Sequence, residues 1–130
     1  MGKRIYEKSV KINQKKDQYV SYAVAKSIRI SPYKVRAVLN VIRGKKYADA
    51  VVYLENLNKS ASLPILKVLK SAGANAENNK GVPTNTLYVS KCFADEGVIM
   101  KRYMARARGS ASSLYKRTSH ITICLNSIEE

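Results

Sequence analysis

Six cations and no acid occur between residues 98 and 128 of this chain. Arginine offers planar donors that match phosphate and stack on bases, and tyrosine also stacks on bases. The alternative is a charged edge that protects a strand from aggregation, but such an edge does not need six cations without an anion. The pattern therefore indicates contact with the phosphates of DNA or RNA. The residues concerned are Lys101, Arg102, Arg106, Arg108, Lys116 and Arg117, with Tyr103, Met104 and Tyr115 among them.

The net charge of +15 is unevenly distributed along the 130 residues. Residues 1–46 contain thirteen Lys and Arg against two acids, whereas residues 47–97 contain five of each sign. A small chain with this charge repels itself and is stabilised beside a polyanion, either nucleic acid or an anionic membrane. A membrane-surface protein needs a basic amphipathic helix with exposed Trp, Phe or Leu, and this chain has no Trp. Nucleic acid is therefore the favoured partner.

The sequence shows no catalytic, metal or membrane-spanning pattern. Its two cysteines, Cys92 and Cys124, form no CxxC motif, and its one histidine, His120, has no acid partner nearby in the sequence. Reduced thiols and a structural histidine are expected. No signal peptide is visible and the longest apolar run, residues 50–54, has five residues. We expect a cytoplasmic, non-enzymatic protein without a cofactor or metal.

Three segments have helical periodicity. Ser31 is predicted to cap the first helix, Pro32 suits its first turn, and Gly44 ends it. The second helix covers residues 47–57. The third has Ser62 as N-cap and ends before Gly81, and a glycine inside it, Gly73, costs about 1 kcal/mol and so predicts close packing. The predicted buried stripes are Val35, Val38, Leu39 and Ile42, then Tyr47, Ala50, Val51 and Leu54, then Ile65, Val68, Leu69, Ala72 and Ala76.

Three segments alternate with period two and predict strands, at residues 19–30, 87–93 and 118–125. In the second, Leu87, Val89 and Phe93 share one face, and Tyr88, Ser90 and Cys92 the other. Residues 95–117 are predicted to form a long hairpin with its tip around residues 105–109, whose arms continue the flanking strands. A ribbon that projects about 25 Å is marginal alone in water, so a partner must receive it.

Three stretches resemble the signatures of one family. They are ISPYKVRAVLNVIRGKKYADAVVYL, KVLKSAGANAENN and MKRYMARARGSASSLYKRTSHITI, and together they lie within residues 25–125. Their order and spacing are similar to those of bacterial-type large-subunit ribosomal proteins of the L-twenty-two family. The resemblance implies an α+β fold in which three helices pack on a small antiparallel three-stranded sheet, with a long protruding β-hairpin. Residues 1–18 are expected to be a basic arm, either solvated or bound to RNA, and residues 19–130 a single domain.

The resemblance also implies a role and partners. The implied role is that of a structural constituent that binds and organises 23S rRNA, with the body near the peptide exit and the hairpin tip lining the nascent-peptide tunnel. Implied partners are 23S rRNA, neighbouring large-subunit proteins and the nascent peptide, but no membrane or small-molecule substrate. A free-standing DNA-binding or chaperone module is the second hypothesis, although no dimer signal or major-groove motif supports it.

The resemblance assigns site residues by position in this sequence. Those expected to bind rRNA are Lys34, Arg36, Arg43, Lys45, Lys46, Lys70, Asn75, Asn78, Lys101, Arg102, Arg106, Arg108, Lys116, Arg117, Ser119 and His120. Those expected to line the tunnel are Met104, Ala105, Arg106, Ala107, Arg108 and Gly109. For the asparagines, a fraying helix end is the alternative to RNA contact.

Overall fold

The chain folds into an α+β body from which a separate hairpin extends. The computed structural model describes residues 18–128, so the predicted basic arm lies outside the described residues except for Gln18. In chain order the elements are β1 (Ser21–Ile28), α1 (Pro32–Ile42), α2 (Tyr47–Asn56), α3 (Ser62–Lys80), β2 (Leu87–Glu96), β3 (Met100–Ala105), β4 (Ala111–Lys116) and β5 (Ser119–Ser127). The body sheet is antiparallel with the order β1-β5-β2, and β3 pairs with β4. The predicted fold class is confirmed.

The core lies between the three helices and one face of the body sheet. The central strand β5 contributes three fully buried apolar side chains, Ile121, Ile123 and Leu125. The predicted helical stripes supply most of the rest, although Tyr47 and Val51 are only partly buried. Burial of each large aliphatic side chain contributes about 1.5–3 kcal/mol relative to exposure. The body therefore has its own apolar core without help from the hairpin.

A bulge in β2 overturns the predicted alternation of that strand. Val89 pairs with Leu125, but the next paired residue of β2 is Lys91, opposite Cys124. One extra residue in a strand moves every following side chain to the other face. Cys92 consequently enters the core and Phe93 stays outside it, which is the reverse of the predicted placement.

The helix ends agree with the predicted glycines but not with the predicted serine caps. Gly44 and Gly81 have left-handed backbones, at φ +79° and +64°. Ser31 occupies the N-cap position of α1, yet its hydroxyl makes no capping hydrogen bond within the described chain. Ser62 is the first residue of α3 rather than its cap, and its Oγ donates to the carbonyl oxygens of Leu57 (3.0 Å) and Lys59 (2.7 Å). Ser62 thus stabilises the turn between α2 and α3.

The hairpin is a two-stranded sheet of its own. Its register runs from Met100 opposite Lys116 to Ala105 opposite Ala111. The arms do not continue β2 and β5 without a break, because residues 97–99 and 117–118 separate the two sheets. A hydrogen bond from the Gly97 N–H to the Thr118 carbonyl oxygen (2.9 Å) holds the two connections together. These connections, residues 97–99 and 117–118, form the junction between body and hairpin, and they set the direction of the hairpin.

Candidate nucleic-acid interface

The hairpin displays its cations to solvent. Residues 101–111 are all exposed, and the Tyr103 side chain is 78% exposed. Residues 98–117 contain six cations and no acid, so no carboxylate within the ribbon neutralises them. The Arg106 Nε donates to the Ser112 Oγ at 3.1 Å, which leaves its other guanidinium N–H groups available. The ribbon is thus a narrow, uniformly positive element with donors along its length.

The hairpin tip has an unusual backbone at Arg108. This residue is left-handed, with φ +57° and ψ +38°, and Gly109 follows at φ +69°. The Arg106 N–H closes the turn on the Ser110 carbonyl oxygen at 2.8 Å. A left-handed L-residue costs about 1–2 kcal/mol, and such residues concentrate at ligand-contacting turns. The tip therefore holds an exposed arginine in a conformation that glycine would adopt more readily.

A groove at the base of the hairpin is lined by cations from both basic parts of the sequence, residues 1–46 (the first basic block) and residues 98–128 (the second). Its volume is about 320 Å³, and four of its lining residues are cations. The Arg29 Nη1 donates to the Arg117 carbonyl oxygen at 2.6 Å, and the Arg117 guanidinium lies 5.8 Å from the centre of the Tyr115 ring. We call this the junction groove. Its cations are Arg29, Lys34, Lys116 and Arg117.

Arg29 was not among the predicted site residues. Its proximity to the hairpin follows from the pairing of Ile28 with Ser119, which joins β1 to the start of β5. The only sequence signal was its membership of the first basic block. Because Arg29 and Arg117 are 88 positions apart in the sequence, no local sequence pattern links them.

Arg36 in α1 and Arg43, directly after its last residue, tie the helix to β2. The Arg36 Nε donates to the Ala94 carbonyl oxygen at 3.0 Å, and the Arg43 Nη2 donates to the Cys92 carbonyl oxygen at 2.9 Å. The Arg36 guanidinium also lies 5.5 Å from the centre of the Tyr33 ring. Each guanidinium carries five N–H donors, so an arginine that anchors the helix can still offer donors to a phosphate. Their predicted RNA contacts remain compatible with these bonds.

The predicted lysines of the body differ in their surroundings. The Lys70 Nζ lies 2.9 Å from the Glu55 carboxylate, an ion pair with both side chains about half exposed. Such a pair contributes at most about 1 kcal/mol, but it lowers the net positive charge of this part of α3. The Lys45 ammonium lies 4.6 Å from the centre of the Tyr53 ring, whereas Lys34 and Lys46 are exposed.

The asparagine cluster of α3 has two kinds of member. The Asn75 Nδ2 donates to the Tyr22 carbonyl oxygen at 3.1 Å, on the edge strand β1. The Lys80 Nζ donates to the Tyr19 carbonyl oxygen at 3.2 Å, just before that strand. Asn78 is exposed. Asn75 therefore covers part of an open strand edge, and Asn78 is the member of the predicted pair that faces solvent.

Ser119 and His120 lie at the start of β5, directly after residues 117–118 of the junction. Ser119 is fully buried, and among the described residues its Oγ has no hydrogen-bond partner. The His120 Nδ1 accepts a hydrogen bond from the Ser27 N–H at 2.9 Å. Ser119 thus has no exposed surface in this conformation, and one nitrogen of His120 is already engaged within the protein.

Cys92 and Cys124 are free, buried thiols. Burial raises the pKa of both the Cys92 and the Cys124 thiol, although the nearby Arg43 guanidinium partly opposes the effect at Cys92. Across residues 18–128, no group of His, Cys, Asp and Glu side chains is arranged to hold a metal ion. No helix in that range is both long and apolar enough to cross a membrane. The exposed cations are therefore the chemically distinctive surface of the described chain.

Comparison with known proteins gives consistent matches over most of the chain. The family model described as Ribosomal protein L22p/L17e matches residues 23–126. The chain is 53% identical over 107 residues to the large ribosomal subunit protein uL22 of Synechococcus sp. (strain JA-3-3Ab), an alignment that covers 82% of this chain and 87% of that protein. It is also 53% identical over 108 residues to the protein of the same name from Halothermothrix orenii, covering 83% of this chain and 96% of that protein.

Proposed function

This chain belongs to the ribosomal protein family L22p/L17e, and from that membership we propose that the hairpin and the junction groove bind 23S ribosomal RNA. Proteins of this family are structural components of the ribosome and not enzymes. Membership also implies ribosomal RNA and neighbouring ribosomal proteins as partners in the large subunit.

The observation that carries the RNA proposal is the charge of the exposed ribbon. Six cations without an acid lie on two short strands, the tip between them and the residue that follows the second strand, and neither strand has a fully buried side chain. In isolation this ribbon repels itself and lacks a core, whereas a folded polyphosphate neutralises it and supplies a surface for its apolar side chains. Arg106 and Arg108 at the tip and Arg117 at the base place guanidinium donors at both ends of the ribbon.

The body contributes the second part of the proposed interface. The junction groove adds Arg29 to the predicted residues Lys34, Lys116 and Arg117, and its lining joins body and hairpin in one positive surface. The exposed positions Lys46 and Asn78 fit direct contact with RNA. Ser119 fits an indirect role better, because its hydroxyl lies inside the protein.

The tip proposal extends further, to the nascent-peptide tunnel. Six residues per arm span about 20 Å, long enough to carry the tip well away from the body. The tip alternates small residues with arginine, so it is narrow enough to pass between RNA helices. We place the body near the peptide exit and assign the tunnel-facing role, with contact to the nascent peptide, to Met104, Ala105, Arg106, Ala107, Arg108 and Gly109.

The test compares two variants that remove equal charge. Arg106→Ala with Arg108→Ala removes two tip cations, and Lys59→Ala with Lys67→Ala removes two exposed cations of the neutral middle segment. Binding to a transcribed 23S rRNA fragment is measured by filter retention. We expect the tip variant to bind at least tenfold more weakly, a change of about 1.4 kcal/mol, because charge-assisted hydrogen bonds are lost. The control should bind like the wild type.

Thermal melting separates binding from folding in the same experiment. The tip side chains are exposed, so both variants should melt within about 2 °C of the wild-type protein, since surface substitutions change stability by about 0.5 kcal/mol or less. Equal losses of affinity in both variants would contradict the proposal, because total charge rather than the hairpin would then explain binding.

A further inference from the structure

We propose that His120 is a positioning residue, which holds the hairpin at its angle to the body by accepting a hydrogen bond at Nδ1. This inference rests on the proposed docking of the hairpin into RNA, since the angle matters only if the hairpin must fit a receptor. It assigns the imidazole to the protein's own junction rather than to direct RNA contact.

The first observation is the bond from β1. The Ser27 N–H donates to the His120 Nδ1 at 2.9 Å, and Ser27 is left-handed at φ +56°. The register between β1 and β5 is irregular at this point, between Ala25 and Ile28. A left-handed serine costs about 1–2 kcal/mol, so the conformation persists because its surroundings stabilise it. Because Nδ1 accepts this hydrogen bond, the ring can donate only through Nε2.

The second observation is the position of the opposite edge of the ring. A Cβ atom built on Gly97 would lie 3.2 Å from the His120 Cε1 and 3.3 Å from its Nε2, and it would clash with the Thr118 Oγ1. Gly97 follows the last residue of β2, where the first arm of the hairpin leaves the body. The imidazole of β5 therefore fills the space between β1 on one side and the exit of β2 on the other.

The third observation is that both hairpin connections are fastened beside this ring. The Thr118 Oγ1 donates to the Val98 carbonyl oxygen at 2.7 Å, and the Arg29 Nη1 donates to the Arg117 carbonyl oxygen at 2.6 Å. The side chains of the ribbon beyond are mostly exposed. Orientation is thus decided within a few residues of His120.

The geometry amplifies small changes at the junction. The tip lies about 20 Å from the first paired residues of the ribbon, so a tilt of about 10° displaces it by about 3–4 Å. Hydrogen bonds to phosphate tolerate only a few tenths of an ångström in donor–acceptor distance. Loss of the hydrogen bond at Nδ1 would therefore misdirect the tip without unfolding the body.

The test uses two amides that mimic different nitrogens of the ring. In His120→Asn the amide oxygen can take the place of Nδ1, whereas in His120→Gln the amide reaches the position of Nε2. Ser27→Gly serves as a matched control, because it keeps the N–H donor and adopts a positive φ without cost. Residual dipolar couplings of backbone amides in the full-length protein report the orientation of β3 and β4 relative to β1, β2 and β5.

We expect one shared orientation in the wild-type protein, His120→Asn and Ser27→Gly, and a changed or averaged orientation in His120→Gln. The couplings within β1, β2 and β5 show in each case that the body is folded. Affinity for the 23S rRNA fragment should fall at least fivefold in His120→Gln and stay within twofold in His120→Asn.

The opposite result, in which His120→Gln keeps its affinity for the rRNA fragment and His120→Asn loses it, would overturn the proposal. An RNA contact through Nε2 would be kept by Gln and lost with Asn. An unchanged hairpin orientation in His120→Gln would overturn it too. Failure of the RNA proposal is recognised separately, as unaltered rRNA binding in the Arg106 and Arg108 double variant. The orientation measurement needs no RNA and retains its meaning in that case.

Discussion

Gly73 lies against the Tyr47 ring where α3 packs on α2. A Cβ at Gly73 would come within 2.7 Å of the Tyr47 Oη and 2.8 Å of its Cε2 and Cζ. Overpacking of this kind costs about 1–3 kcal/mol, and the better helix propensity of alanine offsets about 1 kcal/mol. We therefore expect Gly73→Ala to lower the free energy of unfolding by up to about 2 kcal/mol, measured by urea denaturation.

A helix position without this contact provides the control. Ala74 is exposed on the same helix, so Ala74→Gly should cost only the propensity difference of about 1 kcal/mol. If Gly73→Ala instead stabilised the protein by that amount, the close packing against Tyr47 would be refuted.

At the same scale, several polar residues have a structural partner as well as a predicted one. Arg43 anchors α1 to the Cys92 carbonyl oxygen, and Asn75 covers the β1 edge at the Tyr22 carbonyl oxygen. Their residue types suit RNA, but their nearest acceptors belong to this chain. Substitution of these two residues would therefore change folding and binding together, which makes the exposed tip arginines the cleaner probes.

The hairpin and the central strand should differ sharply in stability as elements. β5 is paired on both sides and buried on its inner face, whereas β3 and β4 pair only with each other within residues 18–128 and are mostly exposed. Isolated two-stranded ribbons are marginal in water, so their amides open often. In the free protein we expect β3 and β4 amides to exchange at least ~100-fold faster than those of Ile121 and Ile123.

Hydrogen exchange monitored by NMR spectroscopy measures this difference residue by residue. Addition of the 23S rRNA fragment should slow exchange in β3 and β4 while leaving β5 almost unchanged, so β5 acts as an internal control. Comparable protection of hairpin and central strand in the free protein would mean that the ribbon packs on the body.

At the scale of the whole molecule, the distribution of charge governs how binding responds to salt. Each phosphate contact releases counterions and contributes about 0.7–0.9 to the slope of log affinity against log salt concentration. If the six hairpin cations all contact phosphate, the hairpin alone contributes a slope of about −4 to −5. We expect Arg106→Ala with Arg108→Ala to make the slope less steep by about 1.4–1.8, measured from 50 to 200 mM salt.

The control for this prediction is the Lys59 and Lys67 double variant. It carries the same net charge as the tip variant but keeps every hairpin cation, so its slope should equal that of the wild-type protein. A salt-independent affinity of the wild-type protein would contradict the phosphate-binding mechanism as a whole.

Local chemistry in the sequence determined the elements, the charge segregation and the family. Helical stripes such as Val35, Val38 and Leu39, and the cations without acids between residues 98 and 128, are visible because they depend on near neighbours in the chain. The hairpin was predicted for the same reason, since its two arms are adjacent in sequence. Its exposure followed from its charge, because a ribbon this basic cannot be buried without a polyanion.

Only the tertiary structure decided which distant residues meet. The β2 bulge reversed the faces of Cys92 and Phe93, and the pairing of β1 with β5 placed Arg29 beside Arg117 and Ser27 beside His120. A bulge is a single-residue offset that no periodicity announces, and contacts across some ninety positions depend on strand order rather than on local pattern. The charge of the hairpin can therefore be read from the sequence alone, whereas its direction depends on how strands that are distant in sequence pack at its base.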